Sequence, residues 1–148
     1  MNKELKIATC CPLDIYFSWQ VCLWLESLKE INLLDKAVVL LYKPKDRVRD
    51  KVWDYIFSLY PEITWREYED DGTVSPLLGI YIPILRPFVM RKYAEEIGNM
   101  EELAIFYCDS DILFMPDFSL DKFLEDGYDK NSLTIGSISG LGDALASK

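Results

Sequence analysis

The chain of 148 residues has no histidine, and that absence excludes more chemistry than any motif in it. Histidine is the usual general base near neutral pH and the commonest metal ligand, so Ser-His-Asp, Cys-His and zinc-histidine sites cannot be assembled from this chain. Catalysis has to draw on carboxylates, hydroxyls, thiols, Lys, Arg or a hard metal ion. Cysteine is scarce: Cys10, Cys11, Cys22 and Cys108 include an adjacent pair and no paired C-x-x-C spacing. Neither a zinc ribbon nor a disulfide framework is suggested, and reduced thiols are expected. Basic residues are also few, 16 against 25 acidic, for a net charge of -9. Such a field repels phosphate backbones and anionic membranes, so nucleic acid is not an expected partner. Glycine and proline number only 7 each while apolar residues make up 50%, the opposite of a disordered composition. The apolar stretches Ile7 to Cys11 and Val21 to Leu25 are too short for a signal-peptide core or a membrane span. The expectation is a single cytoplasmic domain without a membrane span.

What is present alternates between two patterns. Leu5 to Cys10 is a short β-rich run that enters Cys11-Pro12, where proline stops a ladder. Asp14 then offers an N-cap, and Ile15, Trp19, Cys22, Leu25 and Leu28 predict one face of a helix reaching about Ile31. Ala37 to Tyr42 is apolar without alternation, the pattern of a parallel strand covered on both faces. A second helix is predicted from Pro44 to Asp46 onward, with Val48, Val52, Trp53, Ile56, Phe57 and Tyr60 facing inward. Ile63 to Glu69 alternates as a more exposed strand before the turn Asp70-Asp71-Gly72. Leu85, Val89, Tyr93 and Ile97 mark a third helix that Gly98 stops. Leu103 to Cys108 is a fourth strand of the buried type, and a short helix is expected from Leu120 to Glu125. Strand and helix therefore alternate throughout, which predicts a Rossmann-like α/β/α sandwich with a mainly parallel sheet and right-handed crossovers.

The chemistry concentrates at Asp109-Ser110-Asp111. Ligands of open α/β sheets gather at the carboxyl ends of the strands, where this motif is predicted to lie. In an extended chain a two-residue separation points both carboxylates to one side. Two like charges held together are costly unless a cation joins them. Oxygen ligands without histidine favour Mn²⁺ or Mg²⁺, which typically also bind substrate phosphates.

The stretch Tyr81 to Phe114, with Pro83, Leu85-Arg86-Pro87, Tyr93, Phe106-Tyr107 and Asp109-Ser110-Asp111, resembles the nucleotide-sugar-binding half of the GT-A glycosyltransferases. The first strand, opening through Thr9-Cys10-Cys11 into a long helix, resembles the first βα unit of that fold, and the likeness covers about residues 5–126. It implies a metal-dependent transferase using a nucleotide-diphosphate sugar, a UDP-sugar foremost, with Asp109 near the ribose and the metal and Asp111 ligating the metal directly. The metal would act as a Lewis acid on the leaving diphosphate. Arg86 becomes a candidate for donating to phosphate or sugar, Thr9 and Cys11 for the base-binding end of the first strand, and Ser75 for a weaker contact in the preceding loop.

The chain also departs from that family. Only 37 residues follow Asp111, whereas GT-A enzymes usually need a larger second half for the acceptor, the catalytic carboxylate and often a histidine ligand. The expectation is therefore a truncated GT-A-like domain over 1–126 and a short tail over 127–148, with no catalytic base identified and a partner chain as one way to complete the site. Asp117, Asp121, Glu125, Asp126 and Asp129 read as a solvated acidic face. Two other readings stay open: a non-catalytic binding or assembly module, which exposed aromatic residues would favour, and a phosphatase of the haloacid-dehalogenase type, in which the D-x-D normally sits on the first strand.

Overall fold

A computed structural model describes residues 4–74 and 82–119. The elements run β1 (Glu4–Pro12), α1 (Ile15–Glu30), β2 (Ala37–Lys43), α2 (Lys51–Leu59), β3 (Thr64–Glu69), α3 (Leu85–Ile97) and β4 (Leu103–Tyr107). The sheet order is β3-β2-β1-β4 and every pairing is parallel. The chain is thus an α/β protein with helices on both faces of a parallel sheet, as the alternation of patterns predicts. The expected helix Leu120 to Glu125, the tail 127–148 and Ser75 lie outside the described residues.

Strand parity divides the core in two. Ile7, Cys11, Val39 and Leu41 pack beneath α1 and α2 with Trp24, Leu25, Leu28, Trp53 and Ile56. Ala8, Cys10, Val38, Leu40 and Tyr42 pack beneath α3 with Leu85, Phe88, Val89 and Tyr93. This arrangement follows from the path of the chain. Moving outward from β1 through β2 to β3 keeps the connecting helices on one face, and the return across the sheet to β4 puts α3 on the other. The order therefore reverses between β1 and β4, and the carboxyl ends of these two strands open a crevice.

Four details differ from the sequence expectation. The inner face of α1 is Val21, Trp24, Leu25 and Leu28, while Ile15 and Trp19 are 59% and 52% exposed. Leu25 and Leu28 face inward as expected, but apolar residues lie on more than one side of this helix, so two stripes fit its period and the one that buries Val21 and Trp24 prevails. The second helix begins only at Lys51, because Asp46 has φ +62° and the Asp50 carboxylate accepts from Val52 N–H as an N-cap. Val48 consequently lies in the connecting loop, 90% exposed. β4 is half-buried along its length, since among the described residues it pairs only with β1 and forms an edge. By contrast β3 is the exposed edge expected, and Gly98 ends α3 with φ +74°.

Candidate functional site at the carboxyl ends of β1 and β4

The crevice holds a cleft of about 260 Å³, lined by Cys10 and Pro12 from β1, Tyr16 and Gln20 from α1, Arg86 from α3, and the whole Asp109-Ser110-Asp111 segment. Parallel topology explains the convergence: every strand ends, and α1 and α3 begin, at this edge. A depression of about 620 Å³ at the ends of β2 and β3 is larger, but most of its charges are paired, Arg47 with Asp14 at 3.0 Å. Lys43 pairs with Glu69 at 2.8 Å and Arg49 with Glu67 and Asp54.

The D-x-D segment is a turn rather than an extended strand. β4 ends at Tyr107, and Ile112 N–H donates to the Asp109 carbonyl at 3.1 Å. Asp and Ser are favoured at the start of such turns, and they win over continuation of an edge strand. Ser110 is buried and its hydroxyl donates to Gln20 Oε1 at 3.0 Å. That bond anchors the turn on α1. Further along, Phe114 N–H donates to Ser27 Oγ at 3.2 Å, and Trp24 Nε1–H donates to Cys108 Sγ at 3.2 Å. Both Asp109 and Asp111 line the cleft, but through the turn and not through strand alternation.

Around Asp109 the polar groups form a chain. Tyr107 hydroxyl donates to Asp109 Oδ1 at 3.0 Å, and Arg86 Nη2 pairs with the same oxygen at 2.9 Å. The guanidinium carbon lies 5.9 Å from the Tyr107 ring centroid, and Tyr107 hydroxyl is 3.3 Å from Cys10 Sγ. Burial pushes the Tyr107 phenol far above its ordinary range, so it stays a donor at any physiological pH. Asp111 is exposed and makes no ion pair with a described residue. Arg86 occupies the first turn of α3, which a 3-10 turn over Ile82–Ile84 joins directly and where Ile84 supplies no side-chain cap.

Thr9 and Cys11, expected at the base-binding end of the first strand, are 0% and 2% exposed on the α1 side of β1. Neither side chain lines the cleft, because the odd positions of β1 point into the core beneath α1. The β1 residues that reach it are Cys10 and Pro12, of the opposite parity. Tyr107 and Gln20 also carry no expected role from sequence. Tyr107 could have been found from its position as the last residue of β4, two residues before Asp109. Nothing in the helical pattern singles out Gln20.

The donors suit a hard cation in part. Asp111 is open, and both protein partners of Asp109 fall on Oδ1. Yet among the described residues no group of three His, Cys, Asp or Glu side chains could hold a metal. A divalent ion here would complete its shell with water and substrate oxygens.

All four thiols are free. Burial pushes Cys10 up to about 11 and Cys108 up to about 12, and it also raises Cys11. With a pKa near 11 only about one Cys10 molecule in a thousand is thiolate at pH 8. A disulfide-exchange reagent such as DTNB at that pH is expected to label half-buried Cys22 first, and the other three only after denaturation. Fast native labelling of Cys10 would contradict its burial at the end of β1.

Comparison of the chain with family models, with curated proteins and with solved structures returned no match. No helix among the described residues is long and apolar enough to cross a membrane.

Proposed function

We propose that the chain binds a nucleotide-diphosphate sugar, a UDP-sugar foremost, as the donor-binding part of a metal-dependent glycosyltransferase of GT-A type. The observation that carries the reading is the cleft at the reversal point of a parallel sheet, where two carboxylates and one arginine meet. Asp109 and Asp111 would hold Mn²⁺ or Mg²⁺, which when bound neutralises charge on the departing diphosphate. Arg86 donates its planar fork to phosphate or sugar oxygens. Tyr107 orients Asp109 and keeps one of its oxygens engaged. Ser110 and Gln20 fix the turn that presents Asp111. Four free thiols fit a reducing compartment, and we assign the chain to the cytoplasm on that ground. A second chain completing the acceptor side is part of the same proposal.

A binding or assembly module is the second reading, and one observation favours it. Ile15, Tyr16, Trp19 and Leu23 on α1 are each about half exposed or more, and Tyr16 packs edge-on against Trp19 with centroids 6.2 Å apart. Release of radiolabelled sugar across a panel of nucleotide sugars separates the two. The donor-site reading expects slow release in Mn²⁺ by the parent and loss of at least about tenfold in Asp109→Ala and Asp111→Ala. Release that is the same in the parent and both variants would refute the assignment of the carboxylates.

A further inference from the structure

We infer that Arg86 is the resident counter-cation of Asp109 and competes with a divalent cation for that carboxylate, so that metal enters together with a diphosphate that draws Arg86 away. The inference rests on the donor-site reading and deepens it. Arg86 Nη2 lies 2.9 Å from Asp109 Oδ1, and Tyr107 hydroxyl meets the same oxygen at 3.0 Å. Tyr107 therefore holds the carboxylate in place while Arg86 neutralises it. A cation approaching the free protein meets a like charge beside Asp109, and exposed Asp111 alone offers a poor site.

A diphosphate changes both sides of this balance. Its oxygens match the guanidinium fork in a bidentate manner, and other oxygens complete the coordination of the metal. Arg86 can make the exchange through its side chain alone. That side chain is 40% exposed at the cleft surface, and it rests against the Tyr107 ring rather than in the core. Metal and nucleotide then bind with positive coupling, each removing an obstacle to the other.

Removal of the guanidinium is expected to move the two affinities in opposite directions, which a merely structural role for Arg86 does not do. Calorimetric titration of the full chain with Mn²⁺ alone, and with UDP in saturating Mn²⁺, tests this in the parent, Arg86→Gln and Arg86→Lys. For a partly exposed ion pair, Arg86→Gln is expected to bind Mn²⁺ alone about three- to fivefold more tightly. In the same variant UDP should bind at least about tenfold more weakly, as the bidentate phosphate contact is lost. Arg86→Lys keeps the positive charge and should keep the parent's affinity for Mn²⁺ alone. Far-UV circular dichroism accompanies each variant, and Arg86→Met carries the same expectation as Arg86→Gln. If the parent couples Mn²⁺ to UDP but Arg86→Gln gains no Mn²⁺ affinity, or gains it without losing UDP, the competition is wrong and the donor-site reading stands. If the parent binds neither Mn²⁺ nor UDP, both fail.

Discussion

Replacing Trp24 by alanine is expected to cost about 3–5 kcal/mol of folding stability. Trp24 is fully buried at the centre of the core beneath α1, among Val21, Leu25 and Leu28. Its indole N–H is satisfied by Cys108 Sγ at 3.2 Å, so truncation leaves a large cavity and removes a bond to the residue that precedes Asp109. Domains of this size have about 5–15 kcal/mol in total, and the variant should sit near the edge of folding. Trp24→Phe keeps much of the volume and should cost less, about 1–3 kcal/mol. Urea unfolding monitored by far-UV circular dichroism measures both. A loss below about 1 kcal/mol in Trp24→Ala would mean that the helix buries its other apolar stripe.

The second large effect is expected at Asp111. In Asp111→Asn, UDP affinity in saturating Mn²⁺ should drop at least about tenfold, to the level seen without metal. Asp111 is exposed and free of ion pairs with described residues, so this variant should fold with parental stability, within about 0.5 kcal/mol. Loss of metal coupling without loss of fold identifies a ligand-binding carboxylate. Equal losses of both would assign Asp111 to the turn instead.

The elements were legible because β1, β2 and β4 are compact apolar runs, β3 alternates, and each helix has a cap or a stop that acts locally. Asp14 accepts from Tyr16 N–H at 2.9 Å, and Gly98 supplies its left-handed stop. Orientation was less legible. α1 carries Ile15, Trp19 and Leu23 as well as Val21, Trp24, Leu25 and Leu28, and periodicity alone cannot choose between two apolar stripes. On β1 the run of apolar residues locates the strand but not its parity, since both faces are covered. That is why Thr9 and Cys11 emerge in the core and Cys10 at the cleft. In the site, the D-x-D was visible as a motif at a strand end, whereas its turn depends on the long-range Ser110–Gln20 bond. The Arg86–Asp109 pair likewise joins α3 to the end of β4, a contact that no local spacing encodes.

We propose that the cleft between β1 and β4 binds a nucleoside diphosphate through a cation held by Asp109 and Asp111. Calorimetric titration of the parent with UDP, in Mn²⁺ and in a metal chelator, tests it most directly. The account predicts binding in Mn²⁺ at least about tenfold tighter than in chelator. Equal affinity under the two conditions, or no binding in either, would contradict it.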